Sequence, residues 1–178
     1  MKSKEELEAR KRLLPMSSLA IMAYIMARCK TLGVSGLNSV TKIQKLTFIC
    51  YGCVLAGCHY RLCDESPEAG AYGPVFRRTL KLIHSKGLDT FAYYLLPLAG
   101  SVESQLPTDV RAMIDACLRK FGKFSGNQLA NWLTTNGSPW EPDMGQIPDS
   151  VISVFFASNV LAQRRNPGRF PSLLGNMR

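Results

Sequence analysis

The chain has 178 residues, of which 46% are hydrophobic, and its 22 lysines and arginines outnumber its 13 aspartates and glutamates, which gives a formal charge of +9. This length fits one domain, and this composition is sufficient for a hydrophobic core. The most apolar run, LAIMAYIMA at residues 19–27, is much shorter than the roughly 20 residues that a membrane helix needs. The sequence therefore predicts no membrane span.

The segment ahead of that run, residues 1–16, carries both acids and bases. The run is followed by Arg28, Cys29 and Lys30, and not by the small residues of a signal-peptide cleavage site. We therefore predict a soluble, cytoplasmic protein. Its basic balance is typical of proteins that contact nucleic acid, an acidic protein or an anionic membrane surface.

Two apolar segments predict two buried helices. The first begins near Ser17 or Ser18 and ends at Gly33, because glycine commonly caps the carboxyl end of a helix. It is apolar on nearly all sides, which favours a central position. The second spans about residues 38–57 and begins near Asn38 or Ser39. Its apolar face carries Ile43, Leu46, Cys50, Cys53 and Val54.

A strand-to-helix corner is predicted around the stretch EAGAYGPVFRR, residues 68–78. The short alternating pieces of residues 58–72 predict a small two-stranded ribbon. Gly73 permits a sharp turn, and Pro74 suits the first position of a helix, where no N–H is needed.

The helix predicted after this corner has a basic face and ends at Gly87. Arg77 and Lys81 share that face, and Arg78 lies beside it. Its buried side is predicted to contain Val75, Thr79, Leu82 and Ile83.

The middle of the chain is less regular. FAYYLLPL, residues 91–98, is predicted to be extended, with a buried helical turn as the alternative. GSVESQLP, residues 100–107, is predicted to be a loop. A helix capped by Thr108 follows, because apolar residues then recur at i, i+3, i+4 and i+7.

Two further helices and a basic tail complete the chain. Ser125 and Gln128 form a capping box for a short helix, and the last helix opens at Pro148. The tail after Gln163 contains proline, glycine and arginines, so we predict a segment that is loose or that a partner orders.

The elements together predict a mainly α, compact single-domain helical fold with a small two-stranded β-ribbon. Residues 17–162 form the domain. A charged segment, residues 1–16, precedes it, and the basic tail, residues 163–178, follows it.

No pattern in the sequence predicts an enzyme or a cofactor. The chain has no GxxxxGK[ST] phosphate loop and no GxGxxG, and its two histidines, His59 and His84, lie in no metalloprotease motif. Asp64 and Glu65 are adjacent, and we interpret them as a solvated turn. Because titratable groups do not converge, we expect no catalysis.

The six cysteines leave a metal site as an alternative. The stretch CYGCVLAGCHYRLC offers His59 and four thiols to zinc, those of Cys50, Cys53, Cys58 and Cys63. Cys50 and Cys53 lie within a helical pattern, however, where cysteine is typical of a small buried hydrophobe. We therefore favour buried thiols over a metal site, and over a disulfide framework.

Four segments in order resemble one protein family. Residues 42–52, KIQKLTFICYG, are similar to its motif LQKLLYFAQG, and residues 68–75, EAGAYGPV, are similar to EAWKYGPV. Residues 125–140, SGNQLANWLTTNGSPW, and residues 147–156, IPDSVISVFF, resemble its two closing blocks. The family is the Panacea or SocA-like antitoxin domain, which includes phage-associated proteins, and the resemblance covers about residues 17–160.

The resemblance implies a compact helical domain that neutralises a partner toxin by direct protein contact. The chain departs from the family pattern at Gly70, where the family has tryptophan, and at Thr134 or Thr135, where it has histidine. The charge of +9 is a third departure, and it favours an acidic partner or an added contact with nucleic acid.

We expect the partner-binding surface to centre on the corner. The residues predicted to contact a partner are Gln44, Lys45, Tyr72, Arg77, Arg78 and Lys81. The motif residues interpreted as structural are Gly73, Pro74, Trp132, Pro139 and Trp140. Trp132 is assigned to the core, and Trp140 is assigned as an anchor against the second helix.

Two other functions remain open. A basic nucleic-acid-binding regulatory protein would use the corner helix and the tail, through Arg77, Arg78, Lys81, Arg164 and Arg165. An adaptor that delivers a partner to a protease would use the same protein contacts as an antitoxin.

Overall fold

A computed structural model of the chain describes residues 3–11 and 13–162. Two short strands, β1 Glu68–Gly70 and β2 Gly73–Val75, pair as an antiparallel ribbon. The predicted mainly α fold with a small ribbon is confirmed. The helices are α1 Lys4–Lys11, α2 Ser18–Thr31, α3 Val40–Cys58, α4 Arg77–Lys86, α5 Leu88–Leu95, α6 Ala99–Gln105, α7 Thr108–Phe121, α8 Gly126–Leu133 and α9 Asp149–Phe156.

Helix α3 forms the centre of the fold. Every residue from Lys42 to Val54 is buried, and α3 packs against α2, α7, α8 and α9. The hydroxyl of Ser39 caps its first turn by accepting a hydrogen bond from the Lys42 N–H. His59 ends the helix in the left-handed conformation. Because α3 is buried on all sides, its polar side chains lie in the interior of the protein. Some of them contribute to the candidate site from beneath the surface.

The apolar interior has two parts. The larger one surrounds α3, and in it Trp132 stacks on Phe121 with ring centroids 5.2 Å apart, which confirms its predicted core position. The smaller part joins α2 to the α4–α5 hairpin through Met22, Ile83 and Phe91. Helix α2 therefore packs against α3 on one side and against α4, α5 and α6 on another.

The predictions of an extended segment at residues 91–98 and of a loop at residues 100–107 were wrong, whereas the alternative of a helical turn at residues 91–98 agrees with the structure. Helix α5, a 3₁₀ turn at Leu96–Leu98 and helix α6 replace the extended segment and the loop. Phe91 is buried, whereas Tyr93 and Tyr94 are 76% and 70% exposed. Apolar residues lie on both the inner and the outer face of α5. The sequence therefore shows no clear helical period in this segment.

Two boundaries also differ from the prediction. Pro74 lies in β2 and not at the first position of a helix, since α4 begins at Arg77. Thr108 is the first residue of α7, and Pro107 occupies the capping position. The capping box of Ser125 and Gln128 is confirmed.

No helix that could cross a membrane occurs in residues 3–11 and 13–162. The predictions that concern the tail, residues 163–178, including Arg164 and Arg165, lie outside the described residues.

We predict that Gly52→Ala destabilises the protein, because a Cβ at this position of α3 would overlap the ring of Phe156. Overpacking a buried site costs about 1–3 kcal/mol. Urea unfolding measures the loss. The matched control is Gly100→Ala in α6, where a Cβ meets nothing within 4 Å, and there the better helix propensity of alanine should raise stability by up to about 1 kcal/mol. Equal effects of the two substitutions would contradict the packing of α3 against α9.

Candidate functional site

The candidate site is the corner, which we define as residues 64–81 together with the side chains that hold them. The ribbon reverses through Ala71 and Tyr72, because Gly70 lies opposite Gly73. Gly73 has φ +102°, a value that side chains rarely permit. Tyr72 stands at the tip of the ribbon and is 77% exposed.

Gln44 fixes the point at which the ribbon passes into α4. Its Oε1 accepts a hydrogen bond from the Phe76 N–H at 2.9 Å, and its Nε2 donates to the Thr79 hydroxyl at 2.8 Å. Thr79 in turn donates to the Phe76 carbonyl oxygen at 2.8 Å. All three residues are buried, so these bonds form in a low-dielectric interior where an unpaired group would be costly.

Lys45 supports the ribbon from below. Its Nζ donates to the Pro74 carbonyl oxygen at 3.0 Å, and its Cε lies 3.1 Å from where a Cβ on Gly73 would be. The side chain is buried, and no described carboxylate bonds to it. Burial lowers the pKa of Lys45 from 10.5 to about 8, because desolvation penalises the ammonium form.

Trp140 holds the other strand of the ribbon. Its Nε1 donates to the Gly70 carbonyl oxygen at 2.9 Å, and the preceding Pro139 is buried. The indole N–H of the assigned anchor is therefore directed at β1. Backbone hydrogen bonds from Ala69 to Gly145 and from Ile147 to Pro67 complete the outer edge of β1.

Asp64 and Glu65 lie in a bend, where Asp64 is exposed and Glu65 half-buried, as a solvated turn predicts, and they also join the starts of two helices. At the start of α2, the backbone N–H of Ser18 donates to Asp64 and its hydroxyl donates to Glu65. At the start of α4, the backbone N–H of Arg78 donates to Glu65. Carboxylates are stabilising at these positions because helix amino termini carry partial positive charge.

The arginines of the corner are paired with acids that precede them in the chain. Arg77 bonds to Glu68 at 3.0 Å, and Arg78 bonds to Asp64 at 2.9 Å. Lys81 is exposed, and no ion pair joins it to another described residue. The corner is therefore close to neutral, although its sequence predicted a basic face.

The structure brings the predicted contact residues together but places them in two layers. Tyr72, Arg77, Arg78 and Lys81 lie at or near the surface. Gln44 and Lys45 are buried beneath them, so their assignment as residues that touch a partner was wrong. They position the corner instead. No sequence pattern indicates this role, because both polar residues lie on a helix that is buried on all sides.

The cysteines lie in the core, as the helical pattern predicted for Cys50 and Cys53. Burial raises the pKa of the Cys50 and Cys63 thiols well above its usual range. In the described residues, no group of three or more histidine, cysteine, aspartate or glutamate side chains is arranged to hold a metal ion.

No protein-family model matches the chain, and no curated protein or solved structure matches it significantly.

We predict that Lys45→Met changes the pH dependence of stability. Between about pH 8 and pH 10.5 the unfolded lysine binds a proton that the folded lysine lacks, so rising pH stabilises the wild type. Across this window the wild type should gain about 3 kcal/mol of unfolding free energy relative to the variant. Urea unfolding at intervals of one pH unit measures it. The control Lys81→Met, at an exposed position, should follow the wild type, and parallel curves for all three proteins would refute a buried, uncompensated Lys45.

Proposed function

We propose that the chain is a non-enzymatic protein-interaction module of the SocA-like antitoxin type, which acts in the cytoplasm and neutralises a toxin or another partner protein by direct binding. The observation that carries the proposal is an exposed aromatic residue, Tyr72, at the tip of a ribbon that is fixed from beneath by Gln44, Lys45 and Trp140.

An exposed tyrosine at the tip of a ribbon whose backbone is held in place is well suited to anchor a protein contact. Tyrosine is enriched among the residues that dominate binding energy, since it buries a large area and loses little side-chain freedom. The ribbon around Tyr72 is held by hydrogen bonds on both sides, so binding need not order it. Preorganisation of this kind increases affinity because less entropy is lost on association.

Charge has a different role at this surface. Arg77 and Arg78 are neutralised by Glu68 and Asp64, so they add little net attraction at the corner itself. The total charge of +9 still attracts an acidic partner over long range and raises the association rate. We therefore infer that Tyr72 provides most of the binding affinity, whereas the net charge of the whole protein increases the rate of association.

The proposal involves no chemical step. The carboxylates of the corner accept hydrogen bonds from helix starts and arginines, which gives each of them a structural role. A partner would be blocked by occlusion of its surface. The same contacts would also serve an adaptor that hands its partner to a protease.

We predict that Tyr72→Ala weakens binding to the protein encoded beside this chain at least tenfold, because truncation of a central aromatic anchor removes a dominant contact. The two proteins are co-expressed, the affinity of the purified pair is measured, and growth rescue is scored in the same cells. The matched control is Tyr93→Ala with Tyr94→Ala, which removes two exposed rings from α5 and should bind like the wild type.

Unchanged affinity of Tyr72→Ala would contradict the assignment of the corner. Absence of both binding and growth rescue with the wild type would contradict the antitoxin proposal.

A further inference from the structure

A tight turn on the surface connects the end of α8 to the anchor Trp140. The Ser138 N–H donates to the Thr135 carbonyl oxygen at 3.0 Å, which closes the turn. Asn136 and Gly137 form its exposed tip. Gly137 has φ +84°, a value typical of glycine at the third position of such a turn. The turn therefore presents an asparagine followed by a glycine to solvent.

Asn136 and Gly137 are the one Asn-Gly pair in the sequence, and every other asparagine is followed by a residue with a side chain. When a backbone nitrogen attacks the side-chain carbonyl carbon of the preceding asparagine, a five-membered ring closes. Glycine favours this attack because it has no Cβ to shield the nitrogen or to restrict the rotation of the backbone. The sequence thus singles out Asn136, and the fold decides whether the ring can close.

The fold holds neither of the two reacting groups. Within residues 3–11 and 13–162, the side chain of Asn136 makes no hydrogen bond and the Gly137 N–H has no acceptor. A Cβ on Gly137 would meet nothing within 4 Å, so the space around the nitrogen is open. The backbone rotation needs only the bond between Ser138 and Thr135 to open. A single bond in an exposed loop opens locally, without unfolding of the domain.

Asn38 is the natural comparison, because the structure treats it differently. It is also exposed, and it is followed by the small residue Ser39. Here the N–H that would attack donates to the Gly36 carbonyl oxygen at 3.2 Å. The Ser39 hydroxyl is held as well, since it caps α3. The folded state therefore protects Asn38 and leaves Asn136 reactive.

We propose that Asn136 is a site of spontaneous deamidation in the folded protein. The Gly137 nitrogen attacks Cγ of Asn136 and closes a succinimide ring. The bond from Cγ to Nδ2 breaks, and Nδ2 leaves as ammonia with the proton of the Gly137 N–H. Water then opens the ring. Cleavage of the bond from the nitrogen to Cγ gives aspartate, and cleavage of the bond to the backbone carbonyl carbon gives isoaspartate. Water is the one co-reactant.

The isoaspartate product changes the chain where it supports the ribbon. Its backbone continues through Cβ and Cγ, which adds one carbon between α8 and Trp140. The Trp140 indole holds β1 through the Gly70 carbonyl oxygen at 2.9 Å, and Thr134 lies against Gly73 of β2. We therefore expect isoaspartate at this position to loosen the ribbon. This effect concerns the ribbon itself and does not rest on the proposed function.

The test is peptide mapping by mass spectrometry of the full chain during incubation at near-neutral pH. Deamidation is detected as the gain in mass when an amide becomes a carboxylate, and fragmentation across the backbone distinguishes isoaspartate from aspartate. Asn136 should react within about tenfold of its rate in a synthetic peptide of residues 133–139, because its loop opens locally. Asn38 should react more slowly in the folded chain than in its own peptide, because the Ser39 N–H is held.

The variant Gly137→Ala should slow the reaction at Asn136 at least about tenfold, because a Cβ restricts the backbone. The matched control is Gly33→Ala, which makes the same change at another exposed glycine of positive φ with open space around it, and it should leave the rate unchanged. Hydrogen exchange of the ribbon, residues 68–75, should become faster in aged wild type than in aged Asn136→Gln, whose longer side chain closes the ring slowly.

The proposal is overturned if Asn136 stays intact while its peptide is converted, if Asn38 reacts faster in the folded chain, or if both glycine variants give the same rate. Equal exchange of the ribbon in the two aged proteins would overturn the expected loosening. Each of these measurements is made without a partner protein, so this inference and the proposed function fail separately.

Discussion

The amide of Gln44 makes the hydrogen bonds on which the corner depends. Phe76 lies between the end of β2 and the start of α4, where neither the ribbon nor the helix provides an acceptor for its N–H. Gln44 provides that acceptor from the buried centre of α3 and uses its own Nε2 on Thr79. Without it a buried donor would be left unpaired, at a cost of about 1–3 kcal/mol.

This constraint links the core to the surface. Because α3 is buried along most of its length, it does not move independently of the rest of the domain. Its contacts with residues 74–79 therefore fix the ribbon that carries Tyr72. Asp64 and Glu65 extend the same connection to the start of α2. The packing of the interior in this way holds the backbone of the ribbon, at whose tip Tyr72 is exposed.

Much of the fold could be predicted from sequence, because α2 and α3 are long apolar segments with clear ends, α7 has strong helical periodicity, and the capping box at Ser125 is a local signal. Helix α5 could not, because Tyr93 and Tyr94 place apolar residues on a solvent face, and α6 could not, because Val102 is its one buried residue and gives no apolar period. The motif at residues 68–78 located the corner. The buried supports of the corner depend on contacts between distant segments, which no local pattern reports.

Native-state hydrogen exchange at the Phe76 amide tests the central claim most directly. If Gln44 holds the corner to the core, this amide should exchange only when the whole domain unfolds, with the same free energy as the most protected amides of α3. Exchange through a local opening of much lower free energy, while α3 stays protected, would show that the corner moves independently and would contradict the account.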